Sequence, residues 1–188
     1  MSEDLIIKHC SPTLAGIKTG NLFSCQYNSK KEIMEAVRKF NKIFIPKGVK
    51  LIPLKFDENR VLIYVYRPQR LQRDLSEDLA VTLLKDHGYK SSDTTSCISR
   101  LKSRVNAPSD FPHEIGLFLG YPPEDVQGFI LHKGNYCKLT GCWKVYGNEE
   151  KAVKEFAKFK KCSDIYYSKW LQGTTIQRLT VNFVNTNS

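Results

Sequence analysis

The 188-residue sequence contains no run of about 18 apolar residues, the length a helix needs to cross a bilayer, so no membrane-spanning helix and no membrane partner are expected. Its first residues, Met1-Ser2-Glu3-Asp4-Leu5-Ile6-Ile7-Lys8, start acidic and hold only three consecutive apolar side chains, unlike a secretory signal. A cytoplasmic location is the expectation. No Cys-x-x-Cys occurs among the six cysteines, Cys10, Cys25, Cys97, Cys137, Cys142 and Cys162. In a reducing compartment these are free thiols. The closest pair, Cys137 and Cys142, has four residues between its members, and His9, His87, His113 and His132 show no ligand spacing, so no metal site is expected. Also missing are the phosphate-binding Gly-x-x-x-x-Gly-Lys loop, the dinucleotide Gly-x-Gly-x-x-Gly turn and the Gly-x-Ser-x-Gly nucleophile elbow. These patterns therefore identify no cofactor.

What is present is an ordinary globular composition, 41% hydrophobic and 26% charged, with 11% aromatic residues that argue against disorder. A chain of this length buries a core without staples and is expected to form one domain, residues 1–188, with 185–188 a frayed polar tail. The net charge is +10, from 29 basic and 19 acidic residues. That excess permits nucleic acid or another polyanion as partner. Most of the basic residues are lysines scattered along the chain, which favours a solvated surface over a reading head.

Hydrophobic spacing and punctuation predict a mixed α+β fold. Ser11 and Pro12 suggest the start of a short helix that Gly20 ends. Asn28 or Ser29 caps an amphipathic helix through Ile33, Val37, Phe40 and Phe44, stopped by Pro46-Lys47-Gly48. A hairpin follows, Val49 to Phe56 and Arg60 to Arg67, turning at Asp57-Glu58-Asn59. Leu75, Leu79 and Leu83 mark one helix ending at Gly88, and Thr94 or Thr95 starts another. Asp110 to Glu114 reads as an N-cap with a first turn, and Pro122-Pro123-Glu124-Asp125 opens a further helix. The last third reads as a strand near Gly141 to Tyr146, a helix from Asn148 and a strand from Thr174 to Phe183. Thr19-Gly20 and Thr140-Gly141 each lead into strand, Asn, helix and strand, an echo consistent with a duplicated β-α-β unit in one sheet of about five strands.

Four places carry side chains suited to chemistry. If Ser11 caps a helix, Cys10 sits just outside its positive end beside His9, where thiolate is favoured and redox or nucleophilic chemistry becomes available. The plainer reading is a buried thiol. The same helix end, with Thr13 and Lys18, is suited to an anion. In Phe111-Pro112-His113-Glu114, followed by an apolar run to Tyr121, a carboxylate against apolar walls can shuttle protons. First-turn acid explains the same residues without function. Arg67, at a strand end after Tyr64 and Tyr66, can clamp a phosphate or carboxylate, or simply be solvated. In Tyr136 to Gly147, aromatic and basic residues alternate as on a base-stacking platform, and equally as in a half-buried strand.

The stretch His9 to Lys18, the run Phe-Pro-His-Glu-Ile-Gly-Leu-Phe-Leu-Gly-Tyr-Pro from Phe111, Trp143-Lys144-Val145-Tyr146-Gly147 and Lys160-Lys161-Cys162 together resemble the domain-of-unknown-function 3793 family. The resemblance spans nearly the whole chain. It implies a bacterial cytoplasmic protein of the kind found in anaerobic Firmicutes, and it brings no reaction and no catalytic residue with it.

The resulting expectation is a small-molecule or anion-binding protein, with thiol-based redox or enzymatic chemistry at Cys10 as an extension. Its site would gather Cys10, His113 and Glu114 as reacting groups and Thr13, Lys18, Arg67 and Tyr121 as ligand contacts. The alternatives are a nucleic-acid-binding module and a protein-interaction accessory to a redox enzyme.

Overall fold

The computed structural model describes residues 1–90, 93–108 and 110–182. They form two compact units, one of residues 1–69 with the chain beyond 160, the other of residues 70–160. The expected frayed tail, 185–188, lies outside the described residues.

In the first unit, helix α1 (Glu3–Leu14) precedes strand β1 (Gly20–Gln26), helix α2 (Lys30–Phe44), strand β2 (Lys50–Phe56) and strand β3 (Arg60–Tyr66). The α1 helix, with Ser2 at its N-cap position, starts nine residues earlier than the Ser11 cap predicts. Glu3 and Asp4 supply acid to its first turn, and Ile6, Ile7, Cys10 and Leu14 form one apolar stripe, all fully buried. That stripe outweighs the helix-breaking tendency of Pro12, which has no N–H to give the Lys8 carbonyl one turn back. Ser29 caps α2 by accepting from Glu32 N at 3.2 Å, and Ile33, Val37, Phe40 and Phe44 bury its inner face. Gly48, at φ +71°, takes the left-handed turn that lets the chain leave the helix for β2.

The sheet order is β1-β3-β2, antiparallel throughout. Pro53 sits on β2, an edge strand, where its missing N–H breaks no ladder, and the register shifts beside it between Pro53 and Lys55. Val61, Ile63 and Val65 of β3 face the core with Phe23, Cys25 and the α1 and α2 stripes. Each such aliphatic side chain, when fully buried, contributes roughly 1.5–3 kcal/mol, so this one face supplies most of the unit's driving force. Asn41 of α2 bonds both backbone groups of Leu51, donating to its carbonyl at 2.8 Å and accepting from its N–H at 2.9 Å, which covers part of the β2 edge.

The second unit is mainly helical. Helix α3 (Pro68–Leu75) leads in from the first unit, followed by α4 (Asp78–Asp86), α5 (Thr94–Val105), the single turn α6 (Ile115–Phe118) and α7 (Pro123–His132). Asp93 caps α5 by accepting from Ser96 N at 2.9 Å. A two-stranded hairpin, β4 (Leu139–Thr140) and β5 (Lys144–Val145), precedes the long helix α8 (Glu149–Leu171). That helix belongs to this unit as far as residue 160 and to the first unit beyond it. The last element among the described residues is the turn α9 (Ile176–Leu179), in the first unit, where Ile176 and Leu179 join the core.

The α+β class is as expected, and the details of the sheet are not. The five strands divide into a three-stranded and a two-stranded sheet, both antiparallel, rather than one mixed sheet. The expected strand from Thr174 to Phe183 is not formed over residues 174–182, and Phe183 lies outside the described residues. Thr175 caps α9 by accepting from Arg178 N, and Ile176 and Leu179 are buried one helical turn apart. Without that strand the second copy of the β-α-β echo has no third element. Among the described residues no helix is long and apolar enough to cross a membrane.

Candidate functional site

The candidate residues divide between the units. Cys10, Thr13, Lys18 and Arg67 lie in the first, and His113, Glu114 and Tyr121 in the second.

In the first unit, Cys10 is inside α1, not beyond a helix start, and is fully buried. Burial pushes its thiol far above the ordinary range, and the Lys18 ammonium offsets this only in part. The thiolate needed for nucleophilic chemistry is therefore suppressed. Arg67, which follows β3, is 1% exposed. Its guanidinium donates to Thr13 O at 2.7 Å, Leu14 O at 2.6 Å, Lys47 O at 3.3 Å and Val181 O at 2.8 Å. Two of these are carbonyls at the C-terminal end of α1, which lack partners within the helix and carry the negative end of its dipole. Arg67 thus caps α1 and ties it to the chain terminus, a role that neither solvation nor ligand clamping anticipates. Thr13 Oγ1 bonds Asn21 Oδ1 at 2.7 Å, and Lys18 Nζ donates to Gly20 O.

In the second unit, Glu114 is 1% exposed and is engaged by Arg104 and by Tyr89. Arg104 donates from Nε to Oε1 and from Nη2 to Oε2 at 3.4 Å, and Tyr89 Oη donates to Oε1 at 3.1 Å. The hydrogen bond to the carboxylate holds Arg104 charged, and burial first, with the carboxylate beside it, pushes the Tyr89 phenol up. This cluster pins the turn before α6 to α5. It does not present a free acid to a substrate.

His113 and Tyr121 do share a cavity, of about 280 Å³, together with residues absent from the predicted site. Its apolar lining includes Ile115, Val126, Phe129 and Trp143, and His113, Thr140 and Lys144 line it too. The ring of Tyr121 stacks on Trp143 at 4.9 Å between centroids, and Phe156 meets the indole edge-on at 4.6 Å. The His113 ring stands edge-to-face on Phe129 at 4.9 Å. Burial pushes the Tyr121 phenol up to about 12, so it stays protonated and donates to Cys142 O at 3.2 Å.

Asp125, 3% exposed, holds this arrangement in place. Its Oδ2 accepts from Trp143 Nε1 at 2.7 Å, and its Oδ1 accepts from the backbone N–H groups of Tyr146 and Gly147, each at 2.7 Å. A buried carboxylate with three donors is well compensated, and it fixes the indole against the cavity. Gly141 allows the hairpin to close over the same space, since a Cβ there would lie 2.2 Å from the Phe156 ring. Among the described residues no group of three or more His, Cys, Asp or Glu side chains comes together as a metal site would require.

Asp125, Val126 and Phe129 follow helical spacing on α7, and Trp143 and Lys144 lie in the alternating aromatic and basic segment. Those were the two signals available. Neither periodicity states that the helix and the hairpin face each other across a void.

Residues 6–180 match a family described as "Protein of unknown function (DUF3793)". No curated protein and no solved structure gave a match.

Proposed function

Since the chain belongs to the DUF3793 family, whose description names no activity, the site itself must supply the functional reading, and we propose that the protein binds a small, flat, largely apolar molecule in the cavity between α7 and the β4–β5 hairpin. The observation that carries this reading is an apolar space walled by Tyr121, Phe129 and Trp143, with few polar groups at defined positions. An apolar cavity of about 150 Å³ accommodates one benzene ring, so 280 Å³ has room for about two fused rings. Stacking on Tyr121 and Trp143 adds roughly 0.5–1.5 kcal/mol per aromatic pair to the area buried. Thiol chemistry at Cys10 is left out of the proposal, because a fully buried, protonated thiol inside a helix has no access to a substrate.

Each unit holds one tryptophan, Trp143 in the second and Trp170 in the first, so a binding experiment has an internal control. On titrating 2-naphthalenemethanol into the ¹⁵N-labelled protein, the Trp143 indole N–H resonance should shift saturably and the Trp170 resonance much less, with Trp170→Phe giving the assignment. Thr140→Trp, which adds an indole to the cavity lining, should weaken the response at least about tenfold, a loss of roughly 1.4 kcal/mol. Equal shifts of both indoles, or no shift of Trp143, would reject the reading.

A further inference from the structure

The polar groups of this cavity are unequal in sign once the bonds within the fold are counted. Asp125 is the acidic side chain on the wall, and both of its oxygens accept hydrogen bonds from Trp143, Tyr146 and Gly147. Its charge is directed into the hairpin. Among the described residues Lys144 donates from Nζ to Gly134 O at 2.5 Å, one bond from a group that has three N–H donors. The lack of a Cβ on Gly134 leaves room for that ammonium, because one there would lie 3.2 Å from both Lys144 Nζ and the Phe129 ring. His113 stands edge-on to the same Phe129 ring and is exposed to solvent. Two nitrogen-bearing side chains therefore lie by the Phe129 ring, and Asp125, the carboxylate of the lining, already accepts three of its roughly four possible hydrogen bonds.

From this asymmetry we infer that the ligand is an organic acid, with an aromatic or similarly flat body on the Trp143 and Phe129 side and one carboxylate reaching Lys144 and His113. The inference rests on the cavity being the binding site. An ammonium held by a single backbone carbonyl pairs readily with a carboxylate, and a charge-assisted hydrogen bond is about twice as strong as a neutral one. A ligand amine in the same place would meet the Lys144 charge, which costs binding energy.

Three probes with the same ring system separate the possibilities: 2-naphthoate, 2-naphthalenemethanol and 2-naphthylmethylamine, each titrated into the full chain at neutral pH and read by the Trp143 indole shift. The acid should bind at least about tenfold more tightly than the alcohol, equivalent to roughly 1.4 kcal/mol, and the amine more weakly than both. Lys144→Met and His113→Gln should each narrow the ratio between acid and alcohol, and Lys144→Arg should preserve it. If the acid and the alcohol bind equally, or the amine binds best, the organic-acid inference is overturned while the cavity reading stands. If none of the three moves Trp143, both are overturned. A Lys144→Met protein that keeps the full preference for the acid also overturns the role given to that side chain.

Discussion

The two units of this protein use buried polar groups in opposite ways. In the first, Arg67, Lys18 and Thr13 make hydrogen bonds to nearby backbone or to Asn21, and the effect is to close α1 against the sheet and the chain terminus. In the second, Asp125 fixes an indole beside an open space, and His113 and Lys144 stand at the edge of that space. Buried charge is thus a poor guide to function by itself. What separates such groups is whether they only tie elements together, as Arg67 and Glu114 do, or also line a void, as Asp125 does. Glu114 shows that the contrast holds residue by residue, since it neighbours His113 in sequence yet is engaged by Arg104 and Tyr89.

The comparison can be broken most sharply at Arg67. Arg67→Leu removes the donors to Thr13, Leu14, Lys47 and Val181 and should destabilise the first unit by about 3–5 kcal/mol, read from the urea midpoint. A loss under about 1 kcal/mol would show that those carbonyls find other partners and that Arg67 is not structural. A smaller effect is expected in the second unit from Gly141→Ala, whose new methyl must displace the Phe156 ring. Overpacking of this kind costs about 1–3 kcal/mol, and here it should also weaken binding of 2-naphthalenemethanol, because Phe156 supports Trp143. Unchanged stability and binding would mean that the hairpin can move away from the helix freely.

The smallest perturbation is chemical labelling, which leaves the fold intact. At pH 8, iodoacetamide should modify exposed Cys142 first, with Cys162 well behind and Cys10 last. Burial pushes the Cys162 thiol up to about 11 and that of Cys10 further, and a raised pKa lowers the thiolate fraction at a given pH. Labelling followed by mass spectrometry of the peptides reads the order directly. Early modification of Cys10 would restore it as a reactive thiol.

Where the sequence and the structure part, the reason is competition between signals of different range. Ser11-Pro12 is a good local start for a helix, but Ile6, Ile7, Cys10 and Leu14 form a stripe that the core rewards more strongly. The period-two pattern near Thr180 is real, yet Ile176 and Leu179 are also one helical turn apart, and the core of the first unit accepts them in that form. By contrast α2 was legible almost to the residue, because Ser29, its apolar stripe and Gly48 all agree. For the site, the segments around His113 and around Trp143 both stood out in the sequence. Their meeting across a cavity did not, and neither did the role of Asp125, whose three partners lie 18 to 22 residues ahead in the chain.

The sequence by itself determined the family, through its resemblance, and the α+β class, the hairpin at Asp57 to Asn59 and the Ser29-capped helix α2, because these last follow from spacing and local hydrogen bonding within a few residues. Only the tertiary structure decided which charged groups would face backbone and which would face a cavity. That choice depends on desolvation and on partners distant in sequence, such as Arg67 with Val181 and Asp125 with Gly147, which no local pattern encodes.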